Sequence, residues 1–132
     1  MRLALCLCLV LAATACERNK AQPAAPAAPA AMAAQPAKVA RIVFIDKEHA
    51  CDCTRKRTED TWAALQAALG TDARPVERLH VDTQAAQAAP YTTAKPLMVP
   101  PAIYFVDAGN TVIDMLQGEV TTAQIAATLA AR

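Results

Sequence analysis

The sequence predicts an α/β domain, a mixed central sheet of about four strands flanked by helices in the order β-α-β-α-β-β-α. Three observations lead there. Short runs of β-branched and aromatic residues, bounded by charged or turn residues, recur as buried strands require. Alanine-rich stretches with apolar residues at helical spacing separate most of them. The last two runs are joined only by Asp107-Ala108-Gly109-Asn110, which leaves room for a hairpin and not for a crossover. Strands separated by helices imply parallel pairing in the first half, and the hairpin adds an antiparallel strand.

The first strand is Arg41-Ile42-Val43-Phe44-Ile45-Asp46, a continuous apolar run closed by charge at both ends. Trp62, Leu65 and Leu69 then recur at i, i+3 and i+7, a narrow stripe because Gln66 holds the i+4 place. Ala63, Ala64, Ala67 and Ala68 add helix propensity and Gly70 follows as a C-cap, giving a helix of about four turns. Val76 to Val81 is the second strand. Asp82 to Ala89 reads as a short helix ended by Pro90, because the residue before a proline is driven out of the helical region. Ala102 to Val106 and Thr111 to Leu116 are the hairpin strands. Thr121-x-x-Gln124 fits a capping box ahead of Ile125 and Leu129, so the chain ends in a helix.

Composition bounds the rest. A chain of 132 residues with nine prolines, three glycines and 4% aromatic residues holds one domain at most. Of its 33 alanines, 15 fall in the first forty positions, so the 55% hydrophobic content overstates the core. The net charge of +1 lacks the clustered basic face of a nucleic-acid binder. Residues 39–132 alone carry nine basic and eleven acidic side chains, a net −2.

Met1-Arg2 and the apolar stretch Leu3 to Thr14 have the length and charge of a signal peptide, shorter than the roughly 20 residues a membrane span needs. Residues 1–15 are expected to be removed, taking Cys6 and Cys8 with them. Ala13-Thr14-Ala15-Cys16 resembles a bacterial lipobox, with Ala13 where leucine is usual, and the proline-punctuated 16–38 segment resembles the tether of an envelope lipoprotein. That resemblance implies lipidation at Cys16 and a periplasmic domain anchored to a membrane, the outer one by the absence of Asp after the cysteine. A secreted protein is the alternate. The repeated Pro-Ala-Ala units favour an extended spacer.

Two of the five cysteines, Cys51 and Cys53, remain in the folded part, in a compartment that permits disulfides. They lie between the first strand and the first helix. Val99-Pro100-Pro101-Ala102 precedes the hairpin. With the element order, these features resemble the thioredoxin-like family, in which a cysteine motif occupies the first position and a cis-proline the second. Pro101 best matches that proline, with Pro100 the alternate. The departure is one intervening residue, Asp52, where the family has two.

The resemblance implies thiol–disulfide exchange with Cys51 as nucleophile, Cys53 as resolving thiol, and a redox-active Cys51–Cys53 disulfide in place of any cofactor. It also implies that the rigid proline loop offers main-chain pairing to an extended substrate. Its partners would be protein thiols or disulfides and a separate redox partner, and the exchange needs no dimer. The attacking species is a thiolate, which a helix N-terminus favours and which Arg55, Lys56 and Arg57 would stabilise against Asp52 and Glu48. A disulfide closed across one intervening residue forms a small, strained ring, which makes it easier to reduce. The expected role is therefore donating or shuffling disulfides.

The same loop suits a soft metal such as Cu, Zn or Hg, with His49, Cys51 and Cys53 as ligands and Met98 as a fourth. A non-catalytic interaction domain is the third reading. Asp46 resembles in position the acidic proton acceptor beneath the family's cysteines, and also fits a solvated strand end. Trp62 reads as core, His80 as a partly exposed sheet residue and His49 as an exposed loop residue. There is no Walker loop, GxGxxG or Ser/His/Asp arrangement.

Overall fold

A computed structural model describes residues 37–132. The expected signal segment, Cys16 and all but the last two residues of the tether lie outside the described residues. The elements are β1 (Arg41–Asp46), α1 (Asp52–Leu69), β2 (Val76–His80), α2 (Ala85–Ala94), β3 (Ala102–Val106), β4 (Val112–Gln117) and α3 (Thr122–Ala130). Among the described residues no helix is long and apolar enough to cross a membrane.

The four strands form one sheet in the order β2-β1-β3-β4. β1 runs parallel to β2 and antiparallel to β3, and β3 and β4 form the antiparallel hairpin. The mixed sheet expected from the sequence is thus present, with helices on both of its faces. β1 and β3 are central, which explains why their sequences are nearly unbroken apolar runs. Ile42 to Asp46 and all of β3 are buried.

Alternation along these strands divides the core in two. Ile42, Phe44, Ile103 and Phe105 face one side, where Leu65 and Leu69 of α1 and Ile125 of α3 cover them. Val43, Ile45, Tyr104 and Val106 face the other, against Ala88 and Tyr91 of α2. Phe44 meets Trp62 edge-on with ring centroids 5.0 Å apart, so Trp62 joins the core as expected. The capping box at Thr121 and Gln124 closes the start of α3. Gly70 ends α1 with φ of 53°, a left-handed conformation that glycine adopts without steric cost.

Two helices differ in extent from the sequence reading. α1 starts at Asp52 and runs 18 residues, five turns instead of about four, so Cys53 already lies within the helix, and the charged run after it is helical as expected. α2 begins at Ala85, not Asp82, and continues through Pro90 to Ala94. Pro90 lies on the exposed side, where the carbonyl it leaves without an amide partner can be hydrated. The next residue, Tyr91, is buried against Tyr104 and accepts a 2.8 Å hydrogen bond from Arg41, which holds the chain helical past the proline. The helix stops instead at Lys95, extended with φ −137° and ψ 113°, because Pro96 follows.

A proline inside a helix costs roughly 3 kcal/mol, partly offset by the unfolded-chain entropy it removes. Pro90→Ala is therefore expected to raise stability by about 2 kcal/mol, read as a higher urea midpoint at unchanged m-value. An unchanged or lower midpoint would show that α2 is built around the proline.

Candidate active site

The cysteines sit where β1 hands over to α1. Cys51 is the N-cap of α1, with extended backbone (φ −64°, ψ 160°), and its carbonyl accepts the Arg55 amide at 2.8 Å. Cys53 lies in the first turn of the helix. Both thiols are free and exposed, with the sulfurs 2.9 Å apart. The Thr54 hydroxyl is 3.2 Å from Cys51 Sγ and 4.0 Å from Cys53 Sγ.

This geometry lowers the Cys51 pKa from 9.0 to about 7. The largest cause is the hydrogen bond with the Cys53 thiol, and the second is the bond from the Thr54 hydroxyl. The Thr54 and Cys53 amides add smaller contributions, without the sulfur closing a full cap hydrogen bond. The cations expected to tune the thiolate are engaged elsewhere. Arg55 pairs with Asp52, Lys56 Nζ lies 2.7 Å from Asp60, and Arg57 reaches Glu119 at 3.3 Å. Hydrogen bonds lower this pKa, and Thr54 is the residue that sequence reasoning missed. Its signal was available: a hydroxyl three residues after an N-cap shares the first turn with it.

The loop carrying Cys51 is pinned from β2–α2. Asp82 accepts the Glu48 and His49 amides, each at 2.9 Å, and these bonds hold its carboxyl down at about 2. The Thr83 hydroxyl donates to Glu48 at 2.8 Å. His49 is exposed as expected, and its Nδ1 lies 3.4 Å from Asp82. Among the described residues no three metal-ligating His, Cys, Asp or Glu side chains are gathered, so His49, Cys51 and Cys53 do not form a ligand set here.

Asp46, at the end of β1, is fully buried and not a solvated strand end. Arg78 donates to it through Nε at 2.8 Å, and His80 Nδ1 bonds its other oxygen. A buried carboxylate needs such partners. Arg78 also pairs with Glu59 of α1 at 3.0 Å and lies over the Phe44 and Trp62 rings, 5.5 and 5.1 Å from their centroids. His80 is partly exposed in β2, as expected.

The Pro100–Pro101 peptide is cis, which puts Pro101, and not Pro100, in the cis-proline position. The register brings this loop to the cysteine end of the sheet. Ala102 pairs with Ile45, so Pro101 falls across from the end of β1, from which the chain proceeds to Cys51. Met98 and Val99, just before the prolines, are the exposed large hydrophobic residues of the described chain, Met98 at 75%. An open cavity of about 420 Å³ lined by Asp60, Thr61, Glu119, Val120, Thr121 and Gln124 includes neither cysteine.

No protein-family model matches the sequence, and a search of curated proteins found none that matches. Two thioredoxins are among the solved structures that resemble it. Thioredoxin-2 of the malaria parasite, a component of its protein secretion machinery, superposes with a TM-score of 0.49 and 13% identity over 69% of this chain and 81% of its own. Chloroplastic thioredoxin z gives 0.45 and 18% identity over 67% of this chain and 74% of its own.

The pH dependence of Cys51 follows from its hydrogen bonds. A thiol with a lowered pKa is reactive above that value, so its alkylation rate is expected to rise through a midpoint of about 7. Cys53→Ala, which removes the leading donor, should move the midpoint up most, and Thr54→Val less. Rates that track pH in both variants as in the wild type would remove hydrogen bonding as the cause.

Proposed function

We propose that this chain is a thiol–disulfide oxidoreductase of the bacterial envelope, tethered to a membrane through Cys16 and acting on protein or small-molecule disulfides with the Cys51/Cys53 pair. The observation that carries the chemistry is an exposed thiol of pKa about 7 at a helix N-cap, with a second thiol 2.9 Å from it. A nucleophile near neutral pKa combines a useful thiolate fraction with retained nucleophilicity. The tether and its location rest on the signal-like 1–15 segment, Cys16 and the proline-rich stretch after it.

Exchange proceeds in two displacements. The Cys51 thiolate attacks one sulfur of a substrate disulfide, forming a mixed disulfide and expelling the other substrate sulfur as a thiolate, which takes up a proton. Cys53 then loses its proton and attacks Cys51 Sγ, releasing the second substrate thiol and closing the Cys51–Cys53 disulfide. The substrate gains two electrons and the dithiol loses them. Run backwards, the same steps donate a disulfide, the direction that the small ring across Asp52 favours.

Three measurements on the purified protein test this. Two thiols should become alkylatable after mild reduction and none after oxidation. Cys51→Ser should abolish insulin reduction and refolding activity. Equilibration with glutathione should give a potential well above the roughly −270 mV of thioredoxin. Full activity in Cys51→Ser would end the exchange reading, and a potential near −270 mV would reverse the assigned direction.

A further inference from the structure

Two sulfurs and one hydroxyl meet at the start of α1. Cys51 is the N-cap, and Asp52, Cys53 and Thr54 fill the first three helical positions. At the third position a polar side chain can reach back over the N-cap. In α3 that place belongs to Gln124, whose side chain takes the N-cap amide of Thr121 at 2.9 Å. In α1 it belongs to Thr54, whose hydroxyl reaches the N-cap sulfur instead, 3.2 Å from Cys51 Sγ and 4.0 Å from Cys53 Sγ. Among the described residues these two sulfurs are the only partners of that hydroxyl. It has one hydrogen to give and two lone pairs to accept with.

The second displacement needs such a group. While Cys51 is the thiolate, Cys53 can hydrogen-bond to it across 2.9 Å. Once Cys51 is bound in a mixed disulfide that acceptor is gone, and Cys53 has to become the anion. The carboxylate at the end of β1 is already committed: one oxygen of Asp46 takes Arg78 at 2.8 and 2.6 Å, and the other takes His80. The charged groups nearest the thiols in the chain are committed as well. Arg55 pairs with Asp52, Lys56 with Asp60 and Arg57 with Glu119, while His49 faces Asp82 and Glu48 accepts from Thr83. Apart from Cys51, the side chain that reaches Cys53 Sγ among the described residues is Thr54.

We infer that the Thr54 hydroxyl is a catalytic residue of both displacements: its one hydrogen points to Cys51 Sγ while that sulfur is the anion, and turns to Cys53 Sγ when the charge passes there. A rotation of the Cys53 or Thr54 side chain within the turn closes the 4.0 Å gap. The inference rests on the exchange reading above and adds the residue that serves its second half.

The test follows both displacements in one reaction. The full chain carrying Cys6→Ser, Cys8→Ser and Cys16→Ser, so that only the pair reacts, is reduced, freed of reductant and mixed with the symmetric disulfide of thionitrobenzoate. The Cys51 thiolate attacks one sulfur of the reagent, forming the mixed disulfide and releasing a first coloured thiolate at a rate proportional to reagent concentration. Cys53 then gives its proton to solvent and attacks Cys51 Sγ. That step closes the Cys51–Cys53 disulfide and releases a second coloured thiolate at a rate independent of reagent concentration.

A hydrogen bond to an anion raises the thiolate fraction about tenfold and lowers intrinsic nucleophilicity by roughly the square root of that factor. Thr54→Val is therefore expected to slow each phase about threefold on the acid side of its pH profile and to speed it about threefold on the alkaline plateau. The variant and parent profiles should thus cross in both phases, and Thr54→Ser should follow the parent. A second phase that Thr54→Val leaves unchanged would confine the hydroxyl to Cys51 and overturn the inference. Slowing by the same factor at every pH, the mark of a displaced helix turn, would also overturn it, as would a serine variant that behaves like the valine one. Absence of a second, Cys53-dependent release from the parent chain would overturn the exchange reading itself.

Discussion

Asp46 is the last residue of the central strand, carries a carboxylate and is wholly buried. A charge in that place must be paired or it costs several kcal/mol. Its partners are both on β2: Arg78 at one oxygen and His80 at the other. Arg78 then extends to α1, pairing with Glu59 and covering Phe44 and Trp62. One guanidinium thus joins the central strand, its parallel neighbour and the helix that bears the cysteines. The start of α1 is held near the sheet end by this ion cluster together with the apolar stripe of Trp62, Leu65 and Leu69.

From that anchoring follows the placement of the thiols. With β1 ending at Asp46 and α1 beginning at Asp52, the intervening residues form a short loop, and Asp82 and Thr83 stitch it to the turn after β2. Cys51 then falls at the N-cap and Cys53 within the first turn. Hydrogen bonding among Cys51, Cys53 and Thr54 lowers the Cys51 pKa, and Arg55 and Lys56 sit in exposed ion pairs with carboxylates of their own. Such pairs contribute little and are screened by salt. The hydrogen bonding that tunes the site is therefore local to the first turn of α1, and the ion cluster acts on it by fixing where that turn lies.

The architecture was legible from the sequence because each central strand carries its own evidence. β1 and β3 are apolar on both faces, and the capping box and the Asp107 turn mark their elements by local chemistry. The start and end of α2 were not legible. Pro90 signals a stop, and only the burial of Tyr91 against Tyr104, a contact between residues far apart in sequence, overrides it. Asp46 was ambiguous for the same reason, since its burial depends on Arg78 and His80 arriving from another strand. At the site, the thiol pair and the proline were readable from position. The true partners of Arg55 and Lys56 were not, because nearness in sequence says nothing about which way a long side chain turns.

The central claim is that Cys51 attacks and Cys53 resolves. Its most direct test is covalent trapping. Cys53→Ala protein is mixed with a disulfide-bonded polypeptide and the adduct is mapped by mass spectrometry. A stable mixed disulfide through Cys51 is expected, and none when Cys51→Ala is used with Cys53 intact. An adduct that forms through Cys53 as readily, or no adduct from either variant, would contradict it.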